Sequence, residues 1–230
     1  MGLTQTIKPS GEPVTLDAFK NHARIDGDHD NEAAQLLLRS ATRHIEHLTA
    51  RQFLNATWQY TFDAGPASGV VWIPKAPLVS VTSITYLDGD GATQTVSTDV
   101  YQAVTNEAPG SIRLQYGQSW PSAREDTDAI TVTFVAGYGA DAANVPEVAR
   151  FAIQRLGTYW YWNPGTSETP LDVDSVVQNL KAFPRVEVLN GGRDHHGGPG
   201  AAVDDGGLDI GPGYRRCHHY RRATDIRRRN

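Results

Sequence analysis

The spacing of apolar positions divides the chain into a helical beginning, an alternating middle and a second helical stretch. Leu16, Phe19 and Ala23 recur at helical spacing behind Thr15, whose side chain suits an N-cap. A longer helix is predicted over about residues 31–51, capped by Asp28 or Asp30. Its apolar stripe is Ala33, Leu37, Ala41, Ile45 and Leu48, widened by Leu36 and Leu38. Near residue 55 the period changes from 3.6 to 2. Trp58, Tyr60 and Phe62 alternate with Gln59 and Thr61, as a half-buried strand requires. Val70–Ile73, Val79–Leu87, Thr93–Val96, Ser111–Tyr116 and Ile130–Val135 continue as short strands. Asp88-Gly89-Asp90-Gly91 marks a hairpin turn among them. After Gly137-Tyr138-Gly139, a turn that needs permissive φ, Val145-Pro146 opens a third helix reaching about Trp162. A fourth is predicted over 174–182, capped by Asp174, with a brief strand at Arg185–Leu189.

The expected fold class is therefore α+β. About four helices form a framework, a small antiparallel β-unit is inserted in it, and an extended C-terminal arm follows. The expected boundaries are 1–54 for the N-terminal helices, 55–137 for the β-unit, 138–190 for the remaining helices and 191–230 for the arm. An insertion of this size keeps its own fold if its two ends lie close together.

Composition changes this picture most at the C-terminus. Gly191–Gly213 holds nine glycines and two prolines in 23 residues, too few apolar groups to bury a core. Residues 214–230 then carry seven arginines against one acid, Asp225. The chain as a whole has net charge −5. Residues 1–213, with 14 basic and 25 acidic groups, account for −11. An acidic body with a basic tail reads as an interaction tail and not as a general DNA binder. Tyr214 and Tyr220 interleave with Arg215, Arg216, Arg221, Arg222, Arg227, Arg228 and Arg229, which suits docking on carboxylates or on phosphates.

Candidate chemistry is thin. The single cysteine, Cys217, excludes an intramolecular disulfide framework and a four-cysteine zinc site. No apolar run approaches the ~20 residues of a membrane helix. The opening Met1-Gly2-Leu3-Thr4-Gln5-Thr6 has neither a basic nor an apolar signal region. These features read as a soluble protein of a reducing compartment. Asp26, Asp28 and Asp30 imitate the start of a calcium loop, but Asn31 and Leu37 stand where glycine and glutamate are needed. His44-Ile45-Glu46-His47 lacks the PCxxC partner of a zinc deaminase. No Walker A, GxGxxG or GxSxG stands at a strand–helix junction. No catalytic residue, metal ligand or cofactor is expected. Tyr159-Trp160-Tyr161-Trp162 must point in several directions from one helix, so it reads as part core and part interface. With Leu36 and Leu38, the residues Tyr159, Trp160 and Trp162 are the candidates for contacts between subunits.

Four stretches carry a resemblance. They are Thr15-Leu16-Asp17-Ala18-Phe19-Lys20 leading into the acidic Asp26–Asp30 turn; Leu54-Asn55-Ala56-Thr57-Trp58; Tyr116-Gly117-Gln118-Ser119-Trp120-Pro121; and Val132-Thr133-Phe134-Val135-Ala136-Gly137-Tyr138-Gly139 with Val145-Pro146-Glu147. Over about residues 12–190 the sequence resembles tailed-phage head–tail connector proteins, also called adaptors or head-completion proteins. It is most similar to the phiE125 gp8-like branch, which is related to HK97-type connectors. The resemblance implies a structural virion protein in the head–tail neck, assembled in the host cytoplasm. It implies a ring of about twelve copies under the portal protein, extending the DNA channel and offering a platform for the next neck or tail protein. It also implies a C-terminal segment that engages the portal. The acidic body agrees, since negative walls let packaged DNA slide without sticking. The framework helices should lie between subunits and the β-unit at the periphery. Two other readings stay open. One is a neck component whose arginine tail contacts DNA. The other is a glycan-active enzyme with two carboxylates about 5–9 Å apart, although no pair is singled out.

Overall fold

The computed structural model describes residues 1–63 and 69–181. All described residues belong to one compact unit, Met1–Glu187. Its elements in chain order are β1 (Gly2–Ile7), α1 (Leu16–Ala23), α2 (Asn31–Thr49), β2 (Ala56–Phe62), β3 (Val70–Trp72), β4 (Leu78–Leu87), β5 (Thr93–Thr95), β6 (Tyr101–Val104), β7 (Ser111–Leu114), β8 (Ile130–Ala136), α3 (Glu147–Trp162) and α4 (Leu171–Leu180). The α+β class and the four helices match the expectation. The arm 191–230 and the brief strand at 185–189 lie outside the described residues. No helix among the described residues is long and apolar enough to cross a membrane.

Two hydrophobic cores sit side by side. In the helical core, Phe19 of α1, Leu38 and Ile45 of α2, Ile153 and Leu156 of α3, and Val173 and Val177 of α4 are buried together. The second core lies between a five-stranded sheet, order β1-β2-β8-β4-β5, and a three-stranded sheet, order β3-β7-β6. Val71 and Ile112 of the small sheet are buried with Ile84, Val132 and Phe134 of the large one. Every strand pairing is antiparallel. In β8 the burial alternates strictly, with Ile130, Val132, Phe134 and Ala136 inside. That is the period-2 signature of a strand with one face on a core.

Three local findings differ from the sequence reading. First, residues 2–7 form β1, which pairs with β2 from Gly2↔Thr61 to Ile7↔Thr57. The large sheet therefore recruits a strand from ahead of both N-terminal helices. Second, the buried stripe of α2 is Ala34, Leu38, Ala41, Thr42, Ile45 and Thr49. Ala33 is exposed and Leu37 only half-buried, so the stripe is rotated by one residue along the first two turns. Thr42 and Thr49 join the stripe because their hydroxyls donate to the carbonyls of Leu38 and Ile45, four residues back. Third, α4 starts at Leu171 behind Pro170, with Asp174 inside its first turn and not at the cap.

The ends of the inserted β-unit are stitched together. Asn55 N–H donates to Gly139 O at 2.9 Å, Tyr138 N–H to Phe53 O at 3.0 Å and Gly137 N–H to Pro77 O at 3.0 Å. Gly137 is at φ +146°, and a Cβ there would stand 2.6 Å from the Asn55 backbone. Only glycine lets the two chains approach this closely. Arg51 ties the same junction to the helices. Its Nε donates to Leu180 O at 2.9 Å, an Nη donates to Tyr138 Oη, and its guanidinium lies 5.8 Å from the Tyr138 ring centroid.

Candidate functional site

The aromatic run at the end of α3 is divided as its helical spacing requires. Trp160 and Tyr161 pack partly buried against the helical core. Three of its polar handles have partners. Trp160 Nε1 donates to Glu168 O at 3.0 Å, Tyr161 Oη to Asp30 Oδ2 at 2.6 Å, and Trp162 Nε1 to Ala23 O at 3.1 Å. The Asp30 contact holds the Tyr161 phenol above its usual range. Asp30 is the N-cap of α2, but its carboxylate binds this phenol and makes no hydrogen bond to the helix N–H groups. Trp160 also meets the ring of His44 edge-on at 5.5 Å. Burial holds the His44 imidazole below its usual range, and its Nε2 lies 3.0 Å from Thr169 Oγ1.

Of the residues expected at subunit contacts, Leu36 and Trp162 present the most surface, 66% and 61% exposed. Tyr159 and Trp160 are half-buried. Leu38 is corrected: it is 1% exposed inside the helical core and has nothing to offer a neighbour. Sequence reasoning missed Val148 and Phe151, 45% and 49% exposed on α3. With Trp162 they follow one helical face at intervals of three and eleven residues, and that spacing was available as a signal. Tyr214, Arg215, Arg216, Tyr220, Arg221, Arg222, Arg227, Arg228 and Arg229 lie outside the described residues.

No group of three or more His, Cys, Asp or Glu is placed to hold a metal among the described residues. The acidic motifs have other partners. Asp28 Oδ1 accepts from Lys20 Nζ at 2.9 Å and from Asn31 Nδ2 at 3.1 Å. Asp88 Oδ1 accepts the N–H groups of Asp90 and Ala92, which makes it the anchor of the β4–β5 turn.

A cleft of about 580 Å³ lies between the segment joining β1 to α1, one flank of α2, and the start of the β-unit. Four cationic residues line it, Lys8, Arg39, Arg43 and Lys75, against Glu12 and Glu46. Arg39 Nε bonds Glu12 Oε1 at 2.8 Å. Deeper in, Glu46 Oε1 accepts from Gln52 Nε2 and from Phe53 N–H, both at 2.8 Å. Burial pushes the Glu46 carboxyl above its usual range, although the Phe53 bond and the nearby Lys75 oppose this. Burial likewise lowers Lys75. Its ammonium lies over the Trp58 ring, 5.1 Å from the centroid. The cleft residues span positions 5 to 75, so no local motif announces them.

Residues 13–87 match the family model described as "Phage gp6-like head-tail connector protein". No curated protein sequence matches the chain. Among solved structures, the fold is shared with a chain in the "Neck of empty GTA particle computed with C6 symmetry". There the TM-score is 0.70 at 20% identity, covering 81% of this chain and 98% of that one. A chain in the "Virion of native gene transfer agent (GTA) particle" matches over the same shares, with TM-score 0.68 at 21% identity. One in the "Neck of native GTA particle computed with C12 symmetry" matches with TM-score 0.67 at 22% identity, again over 81% and 98%. The matched segment runs from just ahead of α1 through the end of β4, and over that stretch the chain is similar to phage head-tail connector proteins; the structural neighbours share its fold.

Proposed function

We propose that this protein is a structural component of the head–tail neck of a phage-like particle, present as a homo-oligomeric ring. The observation that carries this reading is the fold shared with neck chains of gene transfer agent particles over 98% of their length, joined to the family match over α1 to β4. Those necks were computed with C6 and C12 symmetry, which supports a closed ring of about twelve copies here. The ring extends the DNA channel below the portal protein and offers a platform to the next neck or tail protein. Its role is structural and not catalytic. The acidic body favours passage of DNA without adhesion.

In this reading the framework helices meet between subunits and the β-unit is peripheral. Leu36 on α2 and Val148, Phe151 and Trp162 on α3 supply apolar surface that the chain's own core leaves uncovered. The arginine-rich arm anchors the ring to the portal, since arginine makes charge-assisted, often bidentate bonds to carboxylates. Forty residues, 191–230, reach up to ~130 Å when extended. Tethering by ring symmetry lets modest single contacts suffice.

The test is co-expression of the full chain, and of a chain ending at residue 190, with the portal protein of the same particle. The full chain is expected to give rings on DNA-free portals in electron micrographs, and the shortened chain a folded subunit that no longer joins them. Equal assembly by both would remove the anchoring role and favour arm–DNA contact. A single copy per portal would overturn the ring.

A further inference from the structure

We propose that the α2 face carrying Leu36 on one subunit packs against the α3 face carrying Phe151 and Trp162 on the next, so that each subunit enters the ring through two different surfaces. This rests on the ring reading and assigns a partner to each uncovered face. Leu36 lies two residues from both Ala34 and Leu38, which are buried in the helical core. Phe151 lies two residues from both Ala149 and Ile153, buried in the same core. Two residues turn a helix by about 200°, so each of these exposed side chains points away from the core. Since α2 and α3 pack on each other through that core, where Leu38 and Ile45 are buried with Ile153 and Leu156, the two exposed faces look in opposite directions. Neither can cover the other within one subunit.

A closed ring of more than two copies uses that arrangement. Cyclic symmetry above two-fold repeats a heterologous contact, in which one surface meets a different surface of the neighbour. The neck structures that share this fold were computed with C6 and C12 symmetry. The α3 face is held in place. Trp162 is 61% exposed, yet its Nε1 donates to Ala23 O at 3.1 Å, and Phe151 meets the His22 ring of α1 edge-on at 6.3 Å. Aromatic surface fixed in this way loses little side-chain freedom on binding. From Phe151 to Trp162 the stripe runs about 16 Å along the helix. Charge agrees with the pairing. The α2 face carries exposed Arg43 two turns after Leu36, and the α3 face opens with Glu147, whose side chain is 95% exposed. Pairing α2 with α2 would set Arg39 and Arg43 against their own copies, and like charges across a contact disfavour it. Pairing α3 with α3 would leave Leu36 uncovered.

The experiment uses full chains co-expressed with the portal protein of the same particle, with Cys217→Ser removing the native thiol. A chain carrying Leu36→Cys and Phe151→Cys, treated with a short bis-maleimide, is expected to give a ladder of linked subunits longer than the dimer. Either cysteine alone is expected to stay unlinked, and a mixture of the two single-cysteine chains to give dimers. Dimers from either cysteine alone would overturn the proposal. So would the absence of linkage in rings that form normally, which leaves the ring reading standing. No rings from the parent chain would overturn the ring reading and this pairing with it. If the cysteine chains fail to assemble, charge exchange decides. Leu36→Lys and Phe151→Glu should each lower ring counts in micrographs about tenfold, and both in one chain should restore them to within about threefold of the parent. No recovery in the double variant would overturn the pairing.

Discussion

Gly157 of α3 lies against the Phe19 ring of α1: a Cβ at Gly157 would stand 2.8 Å from Phe19 Cε2 and 3.2 Å from Cζ. Glycine inside a helix costs up to about 1 kcal/mol relative to alanine, so its presence mid-α3 reflects the closeness of the two helices. Both residues are fully enclosed by the helical core, and the ring has no room to turn away. Gly157→Val should therefore lose about 2 kcal/mol, the overpacking cost exceeding the propensity gained. Urea unfolding should show a lower midpoint at an unchanged slope.

Leu36 and Leu38 should separate stability from assembly. Leu38→Ala opens a cavity among α1, α2 and α3 and should cost about 2–5 kcal/mol. Leu36→Gln, on an exposed position, should shift stability by no more than about 0.5 kcal/mol. Yet it should reduce ring formation on portals if Leu36 lies between subunits. Thermal melts and ring counts in micrographs measure the two effects independently, and normal ring counts for Leu36→Gln would remove Leu36 from the interface.

Glu46 should oppose folding more as pH rises. Its carboxyl is held above the ordinary value, so within the window between the two values the folded state binds more protons than the unfolded state. Stability contributed by this group is then full below the ordinary glutamate range and falls as pH climbs through the raised value. Glu46→Gln keeps a carbonyl oxygen for Phe53 N–H and Gln52 Nε2. It should stay within about 1 kcal/mol of the parent at neutral pH and flatten this limb of the pH profile. Glu46→Ala strands both donors and should lose about 2 kcal/mol. Denaturant titrations at several pH values check both variants.

Gly137 should be as intolerant as Gly157 for a different reason. Its backbone is at positive φ, and the atoms a Cβ would strike belong to the Asn55 backbone, which cannot rotate aside. Gly137→Ala should lose at least about 1–3 kcal/mol. Amide exchange should quicken first at Tyr138 and Asn55, whose N–H groups bridge the two ends of the β-unit.

The sequence was legible where one face of an element is buried and one is not. Strand β8 alternates cleanly, and the antiparallel strands between the second and third helices were legible on that basis. The α2 stripe was misplaced because Leu36-Leu37-Leu38 offers three apolar residues to one core position. Tertiary packing chose Leu38, helped by two threonines that satisfy their hydroxyls within the helix. Strand β1 escaped notice because it is an edge strand, with Leu3 37% and Ile7 62% exposed, so its side chains carry no pattern of burial. The aromatic run was read as part core and part interface; its division between core and exposed surface follows helical spacing, but its hydrogen bonds to Asp30, Ala23 and Glu168 come from distant turns that only the fold brings near. The cleft was invisible for the same reason.

The order in which the large sheet can close follows from β1. Its partner, β2, begins 54 residues after β1, and the other neighbour of β2 is β8, a further 74 residues along. Such distant pairings pay loop-closure entropy before they gain any hydrogen bonds, and they slow folding. During synthesis the first strand therefore waits, with its edge unpaired, while α1 and α2 are made and emerge. Its threonines and glutamine, Thr4, Gln5 and Thr6, keep that waiting segment polar and lower its tendency to pair with strands of other nascent chains.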